Sequence, residues 1–254
     1  MSLILETKNI HKSFGGLQVL KGIDFKVKGC TIHALIGPNG AGKTTFLNII
    51  NGLLKVDKGH ILYKGQEITN ISPEKRAILG IGRTFQLLEV FGDLTVLENV
   101  MIALFAKKPW SILKSLSIGS FYYKEKENIE KAMHYLKMVN LEKRAKTLAK
   151  SLPLGEQKLL EIARALAIEP TLLLLDEPAA GLNHRETKLL GETLRNLKEK
   201  YKITILLVEH DMDLVMNYSD FVTVLNFGSV LAEGTPLEIQ KNPQVIKAYL
   251  GEEV

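Results

Sequence analysis

The chain has 254 residues, 46% of them apolar and 24% charged, a mixture too apolar for a disordered chain and long enough to bury a sizeable core. Its formal charge of +5 comes from lysines and arginines scattered among acids, which reads as a solvated mixed surface and not as a footprint for nucleic acid or anionic lipid. Cys30 is the single cysteine, which excludes an internal disulfide and suits a reducing, cytosolic setting, and no apolar run approaches the ~20 residues that cross a bilayer.

In chain order, residues 1–12 read as a strand rather than a basic-then-apolar secretory signal, so export is not expected. Strand patterns over 4–10 and 19–27 flank a Gly15-Gly16 turn, and a third over 30–36 runs into a glycine-rich loop. Residues 45–54 carry apolar positions at helical intervals and stop near Gly59, before a strand-like 61–63. From about 87 to 151 the periodicity is helical, with Ile129, Met133, Leu136 and Val139 as its apolar face. Residues 109–123, with Trp110 and Phe121, read as a packed turn or as a partner surface, the packed turn being favoured. Alternation then resumes: helix over 156–168, strand over 172–175, helix over 186–200, strand over 204–208. Such alternation predicts a parallel sheet covered by helices, with ligands at the carboxyl ends of its strands.

The chemistry concentrates at those ends. Gly37-Pro38-Asn39-Gly40-Ala41-Gly42-Lys43-Thr44 fits the P-loop pattern in full, between an expected strand and an expected helix. Small residues let the backbone curl until its N–H groups converge on phosphate oxygens, Lys43 adds a positive charge, and Thr44 offers a hydroxyl to Mg²⁺. The four leucines 172–175 end in Asp176 and Glu177. Beside a P-loop, Asp176 is the expected Mg²⁺ partner, and Glu177 is placed to polarise a water aimed at the terminal phosphate. His210 also follows a strand, although a lone histidine there is more often structural.

The order of these pieces resembles the ATP-binding subunits of ABC transporters over nearly the whole chain. That resemblance implies an α/β fold: a P-loop NTPase core with a parallel sheet, an N-terminal antiparallel β subdomain and an inserted α-helical subdomain at about 87–151, all in one ATPase domain over 1–254. Phe14 matches the family's aromatic that stacks on adenine, with a core phenylalanine as the rival reading, and Thr45 joins 37–44 in holding nucleotide. Gln86 matches the glutamine that touches Mg²⁺ and water. Leu152-Pro153-Leu154-Gly155-Glu156 matches the signature segment that contacts the nucleotide of a partner chain, but Pro153 stands where a serine is usual, so a hydroxyl and an N–H are lost. Residues 179–183 match a segment that exchanges contacts across a dimer, and His210 the histidine that senses the terminal phosphate.

A finer resemblance, carried by Arg83-Thr84-Phe85-Gln86, by Thr95-Val96-Leu97-Glu98-Asn99-Val100 and by Val208-Glu209-His210-Asp211-Met212, points to the branched-chain amino acid type. It implies ATP and Mg²⁺ as cofactors, a second ATPase chain, integral-membrane permease subunits, an external solute-binding protein acting indirectly, and a peripheral place on the cytoplasmic face of the membrane. The alternatives are a soluble ABC-type ATPase acting on ribosomes or nucleic acid, an importer for another small solute, a P-loop kinase or GTPase, and a binding module without turnover. No nucleic-acid partner is expected.

Overall fold

The computed structural model describes residues 2–84, 90–107 and 118–250, and the side chains at 106–107, 118–125 and 250 lie outside the described set, as does most of the stretch 109–123. The first sheet is antiparallel, in the order β2-β1-β4-β5. Its hairpin joins β1 (Leu3–Phe14) to β2 (Leu17–Lys28), with β4 (Lys58–Tyr63) added along β1 and β5 (Gln66–Glu67) along β4. In β2, Ile23, Phe25 and Val27 are buried while the alternating Asp24, Lys26 and Lys28 face solvent, the period of two that lets one face of a sheet be wet. Both strands outrun the apolar alternation, because backbone pairing continues through residues 11–14 and 17–18.

The second sheet has the order β10-β9-β3-β8-β7-β6. Here β3 (Ile32–Ile36), β6 (Ile81–Arg83), β7 (Leu172–Asp176), β8 (Thr204–Val208) and β9 (Phe221–Asn226) are parallel, and β10 (Ser229–Gly234) returns antiparallel. Every residue of β3, β7 and β8 is buried, which explains why their sequences show no alternation: both faces are covered. Leu173 and Leu175 enter a core beneath the helices, Leu172 and Leu174 the opposite core beneath the antiparallel sheet. Each such leucine contributes about 2 kcal/mol by leaving water.

Nine helices flank these sheets among the described residues: α1 (Lys43–Asn51), α2 (Pro73–Leu79), α3 (Val96–Lys107), α4 (Ile118–Met138), α5 (Leu154–Leu166), α6 (His184–Tyr201), α7 (Met212–Tyr218), α8 (Pro236–Gln240) and α9 (Pro243–Leu250). The first starts two residues before the helical periodicity does and ends well before Gly59, because Gly52 turns left-handed at φ 86° and caps it. Arg76 then seals that end. Fully buried, it donates to the carbonyls of Ile49 and Ile50 in the last turn of α1, and to those of Ile68, Thr69 and Ile71.

Candidate nucleotide site

Gly37 leaves β3 at φ 149°, and a Cβ there would lie 2.1 Å from the Leu225 carbonyl oxygen, so only glycine lets the chain turn against β9. Gly42, at φ 101°, is the N-cap of α1 and has no room for a side chain against Leu20, 2.7 Å away. The loop between them exposes Asn39, Gly40 and Thr44, with Pro38 and Thr45 half-buried and Ala41 buried. The first-turn N–H groups of α1 have no intrahelical acceptor, and no acid occupies that turn, so the helix end keeps its partial positive charge for an anion. Lys43 is buried and donates to the carbonyls of Gly37 (2.7 Å) and Pro38 (3.0 Å). Burial lowers its pKa, and the carboxylates of Glu177 and Asp176 act in the opposite direction, which brings the acids of β7 electrically into the loop.

Asp176 closes β7 with its side chain almost wholly buried. Its Oδ2 pairs with Arg83 at 3.1 Å, and Arg83 also donates to Asn48 of α1 at 2.6 Å. Burial raises the Asp176 pKa, and Arg83 offsets part of that rise. Its Oδ1 is buried with no hydrogen-bond partner among the described residues. A lone buried carboxylate oxygen close to a phosphate-binding helix end, with Thr44 in the first helical turn, is a donor set that fits Mg²⁺. No group of three or more His, Cys, Asp or Glu able to hold a metal occurs among the described residues.

Glu177 adopts the left-handed region, φ 48°, at a cost on the order of 1 kcal/mol. Two backbone bonds hold it there: its N–H donates to Val208 (2.9 Å), and its carbonyl accepts from Ala180 (3.1 Å). The His210 ring lies 3.7 Å from its carboxylate and is largely exposed. Thus the loop, Asp176, Glu177 and His210 come together at one end of the parallel sheet. Gln86 lies outside the described residues.

Phe14 ends β1 about half exposed, with the Lys12 ammonium 5.5 Å from its ring centre. Phe14 is therefore not part of the core. In the signature segment, Leu152 is buried, Pro153 is the N-cap of α5 without a side-chain cap bond, Leu154 is exposed, and Glu156 pairs with Arg144 at 3.0 Å. Gly155 packs against Glu186, whose carboxylate would be 3.0 Å from a Cβ. Asn183 caps α6 in a reciprocal box with Glu186. Sequence reasoning assigned no role to Arg83 or Glu209. The only signals were a cation inside a strand and an acid next to His210.

A glycine-rich loop opening a helix, with two acids at the end of another parallel strand of the same sheet, defines a P-loop nucleotide hydrolase. Residues 20–180 match the ABC transporter family, and residues 229–254 match the branched-chain amino acid ATP-binding cassette transporter family. The chain is 43% identical over 250 residues to the high-affinity branched-chain amino acid transport ATP-binding protein BraF of Pseudomonas aeruginosa, and 40% identical to LivG of Escherichia coli, each comparison covering 98% of both chains. Among solved structures, the ADP conformation of an ATP-binding cassette from an ABC transporter superposes with a TM-score of 0.87 at 36% identity, covering 99% of this chain and all of that one. A dimeric cassette in a post-hydrolysis state bound to ADP and Pi gives 0.76 at 27% identity, covering 92% and 99%. The chain belongs to the ABC transporter family of ATP-hydrolysing subunits, within its branched-chain amino acid branch.

Proposed function

We propose that this chain is the motor of an importer for branched-chain amino acids, bound peripherally to permease subunits at the cytoplasmic face of a membrane and paired with a second ATPase chain. The observation that carries the catalytic reading is the meeting of Lys43, Asp176 and Glu177 at one strand end. The cargo and the partners rest on likeness to BraF and LivG. No helix among the described residues is long and apolar enough to cross a membrane, consistent with a division of labour between motor and permease.

In this mechanism residues 37–45 cradle the phosphates of ATP, Lys43 leaving its loop carbonyls for the terminal phosphate oxygens, while Phe14 stacks on the adenine. Thr44, Asp176 and Gln86 would hold Mg²⁺, which would neutralise charge on the phosphates when bound. Glu177 accepts a proton from the attacking water, and the exposed His210 ring donates to the terminal phosphate. Residues 152–156 of the other chain close over the nucleotide, the first turn of α5 offering N–H groups to its phosphate. ATP thereby bridges two chains, and hydrolysis removes the bridge. The helical segment 87–151 transmits closure to the permease.

The test is uptake of labelled leucine by cells carrying the cognate permease, with wild-type chain or Lys43→Ala. Loss of uptake and of ATP binding in the variant is expected. Retention of either rejects the phosphate cradle, and wild-type uptake of a different solute alone rejects the cargo.

A further inference from the structure

Glu209 is a completely buried carboxylate in a loop whose neighbour, His210, is mostly exposed. Its Oε1 accepts from the Ala179 N–H at 2.7 Å, and its Oε2 accepts from the N–H groups of His210 (2.9 Å) and Asp211 (3.1 Å). Burial pushes its pKa up, and these three donors oppose that push. One oxygen therefore holds the segment that follows Glu177, and the other holds the backbone of His210. A neutral side chain of the same shape cannot do both, because a carboxamide presents N–H on one side to donors that need an acceptor. We propose that Glu209 is a positioning residue that locks the loop after the catalytic glutamate to the loop of His210, so that both reacting groups, and the segment 179–183 facing the partner chain, adopt one arrangement together.

The proposal rests on the catalytic roles given above to Glu177 and His210. It goes further by predicting that neither loop is set independently. The hydrogen bonds of Glu209 run to Ala179, His210 and Asp211 and not to the phosphate loop, so its loss should act on turnover and not on nucleotide affinity.

The experiment compares Glu209→Gln, His210→Ala and the double variant with the wild-type chain assembled with its permease, reading kcat, KM for ATP and thermal unfolding. Glu209→Gln is expected to lower kcat at least ~10-fold, since small misplacements of reacting groups cost that much, with KM for ATP changed less than about twofold. In the double variant the loss should exceed that of His210→Ala but stay well below the product of the two single losses, because the part of the Glu209 effect exerted on the ring has nothing left to position while the part exerted on the loop after Glu177 remains. Wild-type kcat in a folded Glu209→Gln chain, or losses that multiply, overturns the proposal. Wild-type turnover in His210→Ala alone instead removes the role of His210, a distinguishable failure. If Glu209→Gln does not fold, Glu209→Asp carries the same test: it keeps the charge, but one methylene less cannot span both loops, so kcat should again fall at unchanged KM, and an unchanged kcat overturns the proposal.

Discussion

At the scale of single residues, the site depends on groups held in conformations they would not choose alone. Glu177 sits left-handed, and backbone bonds to Val208 and Ala180 hold it there. Glu177→Gln should therefore preserve the local backbone and ATP binding while lowering phosphate release by ~100-fold or more, the usual scale for losing a general base. Phosphate release measured beside equilibrium ATP binding checks both halves. His33 offers a separate handle. It is buried in β3 between the rings of Phe25 and Phe221, and its Nε2 meets the Thr223 hydroxyl at 2.8 Å. Because that hydroxyl donates to Glu233, Nε2 carries the hydrogen, and burial pushes the His33 pKa down to about 3. The folded chain thus refuses a proton that the unfolded chain takes below about 6.5. Its contribution is whole above that value and is lost as pH falls toward 3, at about 1.4 kcal/mol per pH unit. Between pH 7.5 and 5, urea unfolding should show the wild-type chain losing about 2 kcal/mol more than His33→Gln. Equal losses would mean that His33 does not titrate with folding.

At the scale of elements, the phosphate loop is only as firm as the helix it opens. Arg76 turns all its donors to main-chain oxygens, including the last turn of α1, where a cation also meets the negative end of the helix dipole. Burial lowers its pKa to about 10, which still leaves it charged at neutral pH. Lysine has three donors and no planar fork, so Arg76→Lys should strand carbonyls and cost on the order of 2–3 kcal/mol in denaturant unfolding. The sequence offered no hint of this role: a lone arginine in a short amphipathic stretch reads as surface. In contrast, the loop 37–44, Asp176 and Glu177 were legible, because their chemistry requires particular residue types at fixed spacing, and the strands before them are largely apolar. Long-range partners such as Arg83–Asp176 and Glu209–Ala179 were not, since residues 93 and 30 positions apart meet only once the sheet order exists. Strands β9 and β10 were missed: β9 runs parallel to β3, and β10 returns antiparallel along β9 at the sheet edge.

At the scale of the whole molecule, the start of α5 departs from the signature segment that residues 152–156 otherwise resemble. Pro153 occupies the N-cap at φ −55° and ψ 155°, the backbone shape a capping serine would adopt, yet it supplies neither a side-chain acceptor nor an N–H. Replacing it therefore requires no change of path, and Pro153→Ser should add a cap worth about 1 kcal/mol. The same hydroxyl has a second partner in the two-chain arrangement proposed above, the terminal phosphate of an ATP held by the other chain. These two uses separate experimentally. In the Glu177→Gln background, which traps ATP, Pro153→Ser should lower the ATP concentration for half-maximal dimer formation several-fold, read by size-exclusion chromatography, because a hydrogen bond to a charged group is worth ~1.5 kcal/mol or more. If thermal stability rises while the dimerisation midpoint stays fixed, the serine acts only as a cap and residues 152–156 do not reach a partner's nucleotide. If the midpoint falls, proline at this position weakens ATP-driven closure, so that the native chain opens more readily between turnovers.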